Sequence, residues 1–437
     1  MKNNRYMNRL THEYPLFTVM IPTKNRESYL YHTLKTCLNQ DYPNLEIIIA
    51  DDASTDNTVQ MVKEFADQYP FVKLFTQTES LGMRDNFEFA LKQVKPGYLI
   101  ALGGDDGLLP NGISEMYKII TEYKVDLLTW APPVYTYPFN NKFSAQLDIY
   151  KTKGVEIIKS TDLLNRLVKN LNYLNDLECP MFYVKGVVKT DLVEKVCSRS
   201  EDGRFYRCPT PDGYSGIILA GEVEKFAFTG KPLSIYGATG ESQGLNYLLN
   251  TKKAKIESEF FFKKVQDVPM HQELASQPYS PLITLMTADY LMTARDLQKW
   301  DNTILGIDYK SLLQKSIIEL SQGIYDEARI GRELKILKQI AIQHDLVDYF
   351  YMLVNKTKRK KTRKPFKGDG ISPKIVFSNA TLLGLDNIFD ASYGAKIIYA
   401  QISRFNAKYF FKILYNSLKY YFKKSKKDKK FPSEDKW

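Results

Sequence analysis

The chain has 437 residues, of which 44% are hydrophobic and 25% charged, as in an ordinary folded protein of more than one domain. It contains no run of about 18 uncharged apolar residues, and its polar N-terminus lacks the apolar core of a secretory signal. We therefore expect a cytoplasmic protein without a spanning helix. The net charge is +11, and because the segments 356–367 and 404–430 together carry +17, the rest of the chain has a net charge of −6. This distribution argues against a nucleic-acid-binding protein.

The first half of the chain alternates short apolar runs with helix-like stretches, which is typical of an α/β domain. Uninterrupted apolar runs such as LEIIIA indicate a mostly parallel sheet covered on both faces by helices. We predict strands over 16–22, 45–50, 71–75, 98–102, 125–130, 181–188 and 232–236. We predict helices over 27–40, 55–68, 86–94, 163–173, 190–197 and 211–220.

The second half has a different character. Residues 250–355 carry one helical pattern after another with little strand signal, and 356–370 form a basic linker. The pattern over 371–399 predicts neither helix nor strand clearly. We therefore divide the chain into an α/β domain of residues 1–249, a helical domain of residues 250–355, the linker, and a C-terminal segment of residues 371–437.

Three acidic sites follow predicted strands or loops in the first half. Asp51 and Asp52 end the second strand, Asp105 and Asp106 follow two glycines after the fourth strand, and Asp212 precedes a helix. In a doubly wound sheet, ligands bind beyond the carboxyl ends of the strands. We therefore expect these carboxylates to meet in one crevice.

Such carboxylates suit the transfer of a sugar from a nucleoside diphosphate. A divalent cation can neutralise the diphosphate leaving group, and hard cations prefer carboxylate oxygens. An acceptor hydroxyl needs a base when it attacks the anomeric carbon. Asp105 and Asp106 could serve the metal and the ribose, and a third carboxylate could be the base.

Three segments resemble the family 2 glycosyltransferases with the GT-A fold: FTVMIPTKNR, IIIADDASTDNT and GYLIALGGDDGLLP. The resemblance extends over about residues 16–236, and its first part is the most specific. It implies a Rossmann-like, mostly parallel sheet flanked by helices, followed here by the helical region. It also implies an inverting, metal-dependent enzyme that uses Mn²⁺ or Mg²⁺ and a nucleotide-sugar donor, with UDP as the expected nucleotide.

The resemblance assigns roles to individual residues. Asp52 would accept from the uracil ring, Asp105 would face the ribose, and Asp106 would bind the metal. The full implied donor set is Pro22, Thr23, Asn25, Arg26, Asp52, Arg84 and Asp105.

The resemblance places the catalytic base at Asp212, in the segment TPDGYSG. The family often has an acidic residue before this aspartate, whereas here it is Pro211. Glu201 and Asp202 are nearby rivals, and Asp212 could instead cap a helix.

Other interpretations remain open. Each Asp-Asp pair could be an ordinary turn at a strand end, and Arg26 and Arg84 could be surface charges paired with local acids. A nucleotidyltransferase would be expected to carry a glycine-rich loop near the first strand, which PTKNR lacks. A non-catalytic nucleotide-sugar-binding or scaffold subunit docked to the membrane is the main alternative to an enzyme.

The tail adds a partner. On a helical wheel, basic residues of 404–426 lie on one side and apolar residues largely on the other, which fits the inner face of an anionic membrane. A helix packed on the rest of the protein would give the same pattern. A glycan or lipid-linked acceptor, used in cell-surface polysaccharide or glycoconjugate synthesis, would suit a membrane location.

Overall fold

The computed structural model describes residues 14–138, 144–152, 154–240, 247, 252–300, 306–358, 360 and 375–404. The strands in these ranges are β1 (Phe17–Thr23), β2 (Leu45–Asp51), β3 (Val72–Thr76), β4 (Tyr98–Ala101), β5 (Gly107–Leu108), β6 (Leu127–Trp130), β7 (Val134–Thr136), β8 (Gln146–Tyr150), β9 (Val155–Lys159), β10 (Gly186–Lys189), β11 (Lys225–Thr229), β12 (Ser234–Ala238) and β13 (Ile375–Asn379).

The α-helices in the same ranges alternate with the strands at first and later follow one another directly. They are α1 (Glu27–Leu38), α2 (Thr58–Gln68), α3 (Met83–Leu91), α4 (Gly112–Tyr123), α5 (Ser160–Asn170), α6 (Thr190–Cys197), α7 (Asp212–Glu222), α8 (Lys252–Lys264), α9 (Ile283–Gln298), α10 (Tyr309–Leu320), α11 (Glu327–Gln343), α12 (Val347–Lys356) and α13 (Ile388–Arg404).

The main sheet has eight strands in the order β3-β2-β1-β4-β10-β6-β11-β9. The first four are mutually parallel, and β6 and β11 form a further parallel pair. Every residue of β1 is buried, as expected for a strand covered on both faces. The predicted mostly parallel α/β fold with a helical region after it is confirmed.

The parallel strands bring the candidate residues to one edge. Thr23 at the end of β1 is paired with Asp51 at the end of β2, and Asp51 is paired with Thr76 of β3. Because the following helices run back along the sheet, their N-termini begin at this same edge. A ligand in the crevice there would meet strand ends and helix N-termini together.

The helical region packs directly on α7. A Cβ on Gly221 would lie 1.6 Å from the Trp300 ring, and one on Gly213 would lie 2.7 Å from the Tyr290 ring. One hydrophobic cluster runs from the sheet into the helical region, from Met20 to Leu337. The boundary predicted at 249 therefore divides the sequence without dividing the hydrophobic core.

The C-terminal segment returns to the α/β domain. β13 pairs with β8 in a second sheet of order β13-β8-β7-β12-β5. Helix α13 buries Ile388, Ala391 and Ala395 and packs on α1. The C-terminal segment is therefore part of the α/β domain. Its local sequence pattern did not predict this packing.

No helix within the described ranges is both long and apolar enough to cross a membrane. The amphipathic helix predicted in the tail and most of the basic linker lie outside the described residues.

Candidate active site

Asp106 lies at the centre of the glycine-flanked turn after β4 and is fully buried. Its Oδ2 accepts from the Gly103 N–H at 2.7 Å, and its Oδ1 accepts from the Gly237 N–H at 2.8 Å. Burial and, next, the charge of Asp105 raise the pKa of Asp106. These bonds tie the turn to β12, so the carboxylate of Asp106 is already used to hold the turn in place.

The turn and β12 approach each other too closely for side chains. A Cβ on Gly237 would lie 1.8 Å from the Asp105 carbonyl oxygen, and one on Gly103 would lie 2.6 Å from the Tyr183 hydroxyl. Glycine at both positions is therefore a steric requirement of the site.

Asp105 makes different contacts. Its Oδ2 accepts from the Thr239 hydroxyl at 3.0 Å, and its side chain is not held by the pair of main-chain N–H groups that holds Asp106. In the described ranges no group of three or more His, Cys, Asp or Glu side chains is placed to hold a metal ion. The two carboxylates of this turn supply oxygen atoms of the kind that a divalent cation prefers as ligands.

The pair at the end of β2 shows a similar division. Asp51 Oδ2 accepts from the Ser54 N–H at 2.9 Å, which closes a local turn. Asp52 reaches the loop after β3, where Oδ1 accepts from the Leu81 N–H at 2.6 Å and Oδ2 from the Gly82 N–H at 3.2 Å. Both carboxylates are buried, and Asp52 is the one that faces another loop of the crevice.

The loop after β1 connects these two carboxylate turns. Pro22 and Thr23 are buried at the end of the strand, whereas Asn25 is exposed in a left-handed conformation. Asn25 Oδ1 accepts from the Thr55 N–H at 2.8 Å, which joins the loops after β1 and β2.

Thr23 and Arg26 also lie beside the Asp105 turn. A Cβ on Gly104 would be 2.8 Å from Thr23 Oγ1 and 3.0 Å from Arg26 Cγ. Thr23 Oγ1 is buried and has no hydrogen-bond partner in the described part of the chain. Such an unsatisfied hydroxyl at a ligand-binding edge is a candidate for a donor contact.

Asp212 is the first residue of α7 and is half-buried. Its Oδ2 accepts from the Tyr173 hydroxyl and its Oδ1 from the Thr210 hydroxyl, both at 3.0 Å. Thr210 is in turn hydrogen-bonded to the Tyr290 hydroxyl of α9. The cap position of α7 is Pro211, so the capping interpretation of Asp212 does not describe its observed contacts.

The rivals of Asp212 lie elsewhere. Glu201 and Asp202 are exposed, and Asp202 binds its own neighbours, with Oδ1 accepting from Arg207 Nη1 at 3.1 Å. Neither is held in the crevice as Asp212 is.

Two tyrosines show that the carboxylates share one region. Burial raises the pKa of the Tyr236 hydroxyl, and the charges of Asp106, Asp105 and Asp212 raise it further. The pKa of Tyr183 is raised in the same way by burial and by these same charges. Three carboxylates from two distant stretches of sequence therefore lie within electrostatic range of the same two tyrosines.

Arg84, which was predicted to bind the nucleotide-sugar donor, pairs with its neighbour in the sequence. Its Nε donates to Asp85 Oδ1 at 2.8 Å, and Arg204 pairs with the same carboxylate. The structure thus shows the locally paired arrangement, and a donor contact by Arg84 stays a prediction.

Several residues of the site were not predicted from the sequence. Tyr173, Thr210, Tyr290, Gly237 and Thr239 hold the two key carboxylates or allow their approach. Thr210 lies within TPDGYSG, and Gly237 and Thr239 follow the last predicted strand, so these three carried a usable signal.

The structure also has cavities away from this crevice. One of about 650 Å³ is lined by residues that include Asn170, Asn175 and the ion pair of Arg166 with Asp176. None of the predicted site residues lines it. The predicted carboxylates lie at the crevice and not in this cavity, so the crevice is the candidate active site.

Residues 18–183 match the family model described as Glycosyl transferase family 2. This chain carries a family 2 glycosyltransferase domain. The match covers the loop after β1, both aspartate pairs and Tyr183, and it confirms the family that the three motifs predicted. Asp212 and the helical region lie beyond it.

Curated relatives match the glycosyltransferase domain in part. An uncharacterized glycosyltransferase of Haemophilus influenzae is 34% identical over 92 residues, which are 21% of this chain and 37% of that protein. The poly(ribitol-phosphate) beta-N-acetylglucosaminyltransferase TarS of Staphylococcus aureus is 29% identical over 114 residues, or 26% of this chain and 20% of TarS. The matched part is thus well under half the length of each relative.

A solved structure of S. aureus TarS residues 1–349 with UDP-GlcNAc is also similar. It covers 78% of this chain and 90% of that chain, with 16% identity and a TM-score of 0.43. This likeness is too distant to assign a donor to the present chain.

Proposed function

We propose that this protein is an inverting glycosyltransferase that moves a sugar from a nucleoside-diphosphate donor to an acceptor hydroxyl. The expected nucleotide is UDP. The observation that carries the proposal is the buried, glycine-flanked Asp105–Asp106 turn at the ligand-binding edge of the sheet, with Asp212 within electrostatic range of the same tyrosines, Tyr183 and Tyr236. A donor site and a base in one crevice are what a single displacement requires.

The donor would lie across the ends of β1, β2 and β4. Asp52 Oδ1 accepts one main-chain N–H, so a second lone pair remains for the imino N–H of a uracil ring. The unsatisfied Thr23 hydroxyl would contact the same nucleotide. Pro22, Asn25, Arg26 and Arg84 complete the proposed set.

We revise the proposed metal ligand from Asp106 to Asp105. Asp106 is fully buried and bonded through both oxygens to main-chain N–H groups, so binding a cation would compete with the bonds that hold the turn. An ion bound by Asp105, whose Oδ2 accepts from the Thr239 hydroxyl, would leave the main-chain bonds of Asp106 intact. A Mn²⁺ or Mg²⁺ ion bound there would stabilise the charge of the departing diphosphate.

Asp212 would act as the general base. Its carboxylate is oriented by two hydroxyl donors, Tyr173 and Thr210, and would accept the proton of the acceptor hydroxyl as that oxygen attacks the anomeric carbon. Attack from the face opposite the diphosphate inverts the configuration at that carbon. No covalent glycosyl-enzyme is required.

We propose that the enzyme meets its acceptor at a membrane surface. Leu382 is 81% and Ile397 is 61% exposed, and both lie in the segment that leads into the basic stretch 404–430. Exposed apolar residues beside basic residues favour an anionic bilayer, where each Lys or Arg contributes about 1 kcal/mol. A lipid-linked or surface glycan acceptor would then share a surface with the enzyme.

The decisive experiment incubates the full chain with a panel of nucleotide sugars and Mn²⁺ and measures release of the nucleoside diphosphate. Slow hydrolysis of a UDP-sugar that disappears in Asp212→Asn supports the proposal. Donor binding without turnover in the wild type would instead indicate the non-catalytic binding subunit. Asp202→Asn, which changes an exposed carboxylate nearby, is the matched control.

Membrane binding is tested separately by sedimentation with liposomes. The full chain should bind vesicles that contain phosphatidylglycerol and should be released by high salt, whereas a chain ending at residue 404 should bind much less. Equal binding by both would contradict the assigned role of the tail.

A further inference from the structure

A ring and two ammonium groups lie beside the loop that Asp52 holds. Phe260 of α8 is 45% exposed. Lys24 Nζ lies 5.0 Å and Lys264 Nζ 5.9 Å from the centroid of its ring. The helical region therefore reaches the loop after β1, more than 200 residues earlier in the chain.

Hydrogen bonds connect this group to Asp52. Lys24 Nζ donates to Ser80 Oγ, and Ser80 Oγ donates to Asp52 Oδ2, both at 2.7 Å. Lys264 Nζ donates to the Ser80 carbonyl oxygen at 2.8 Å. The proposed nucleobase carboxylate and α8 thus hold the same loop from two sides.

The core does not require Phe260. Helix α8 buries Ala254, Ser258 and Phe261, and Val265 directly after it continues this stripe with helical spacing. Phe260 lies off that stripe, on a second face shared with exposed residues one turn away on either side, Ile256 and Lys264. Along the part of this second face that carries Phe260 and Lys264, the helix meets the loop of the donor crevice.

The chemistry of this face suits a nucleotide. Every nucleobase offers a π face to an exposed aromatic ring, and such stacking is sequence-tolerant. Lys24 Nζ lies 3.9 Å from Asp52 Oδ2, whereas Lys264 Nζ donates to a neutral carbonyl oxygen, so the positive charge of Lys264 favours an anionic ligand.

We propose that α8 forms an outer wall of the donor pocket, with Phe260 packed against the nucleobase of a nucleoside diphosphate and Lys264 against its polar edge. This inference rests on the proposed donor site and gives the helical region a task in donor binding. Lys24 joins the two parts as it contacts both the ring and the Ser80 loop.

The test measures Kd for UDP with Mn²⁺ by calorimetry on the full chain. Phe260→Ala should raise Kd about tenfold, as expected for loss of one stacked base, whereas Phe260→Trp should retain affinity. Lys264→Met should raise Kd severalfold. Lys263→Ala, which changes the exposed neighbour of Lys264, is the control and should leave Kd unchanged.

A second probe separates the ring from the charges. Phe260→Ala should leave the affinity for Mn²⁺-pyrophosphate unchanged because that ligand has no base. Wild-type affinity for UDP in both Phe260→Ala and Lys264→Met, with unchanged Tm, would overturn the inference and leave the donor site standing. Failure of the wild type to bind UDP or any other nucleoside diphosphate would overturn both.

Discussion

The two sides of the crevice hold their carboxylates in different ways. On the sheet side, Asp52 and Asp106 accept mainly from main-chain N–H groups of nearby turns and strands, with one side-chain hydroxyl, that of Ser80, added at Asp52. On the helical side, Asp212 accepts from side-chain hydroxyls of Tyr173 and Thr210, and the second of these is bonded to Tyr290 of α9.

This difference suggests a division of labour. Main-chain donors are part of the fold and cannot be replaced one at a time, so they suit a donor site that must keep one shape. Side-chain hydroxyls can be removed singly with small structural consequences. The comparison predicts that changes on the sheet side disturb binding or stability, whereas changes on the helical side act on turnover.

The largest effect should come from Asp212→Asn. Loss of the base should lower kcat by about 10²–10⁴-fold, with the donor Kd unchanged because the change lies on the helical side. Steady-state kinetics and calorimetry with the preferred UDP-sugar measure the two quantities. Near-normal turnover would remove Asp212 from the mechanism, and Asp202→Asn should behave as the wild type.

Asp105→Asn and Asp106→Asn should differ in kind. The first should weaken Mn²⁺-dependent UDP binding by on the order of a hundredfold, or about 2.7 kcal/mol, with little change in Tm. The second should cost about 1–3 kcal/mol of stability because a buried N–H would face an amide NH₂ group.

Calorimetry and denaturant unfolding of both variants separate these outcomes. The reverse pattern, with Asp106 controlling metal dependence and Asp105 controlling stability, would restore the allocation that the family resemblance implied.

Gly237→Ala should destabilise the sheet side. Its Cβ would lie 1.8 Å from the Asp105 carbonyl oxygen, so β12 or the turn must move, at a cost of roughly 1–3 kcal/mol. Thermal unfolding should show a lower Tm. Gly331→Ala in α11 is the control, because a Cβ there meets nothing within 4 Å and should stabilise the helix slightly.

Tyr290→Phe should have the smallest effect. It removes the hydroxyl that holds Thr210, which costs about 0.5–1.5 kcal/mol and lowers kcat up to about tenfold without changing the donor Kd. The matched control is Tyr399→Phe, which removes a hydroxyl that donates to the Thr152 carbonyl oxygen far from the crevice. A changed donor Kd in Tyr290→Phe but not in Tyr399→Phe would contradict the claim that changes on the helical side act on turnover alone.

The sequence predicted the parallel strands well because each of them is marked by residues that are adjacent in the sequence. Continuous apolar runs marked β1, β2 and β4, and an aspartate pair marked the end of β2 and the turn after β4. It did not predict the half-buried strand β13 or the helix α13, both of which pack on elements more than 200 residues away. It also missed β11, whose apolar stretch is only three residues long.

The sequence by itself therefore determined the family, the fold class and the set of carboxylates, since each depends on residue types at short spacing. Only the tertiary structure showed the different hydrogen bonds of Asp105 and Asp106 and brought Tyr290 to Thr210 and Phe260 to Lys24. Adjacent aspartates are equivalent in a sequence, but in the folded chain a main-chain N–H of distant β12 reaches one carboxylate and not its neighbour. Hydrogen bonds and ring contacts between distant segments depend on where the backbone passes, and no local pattern encodes that.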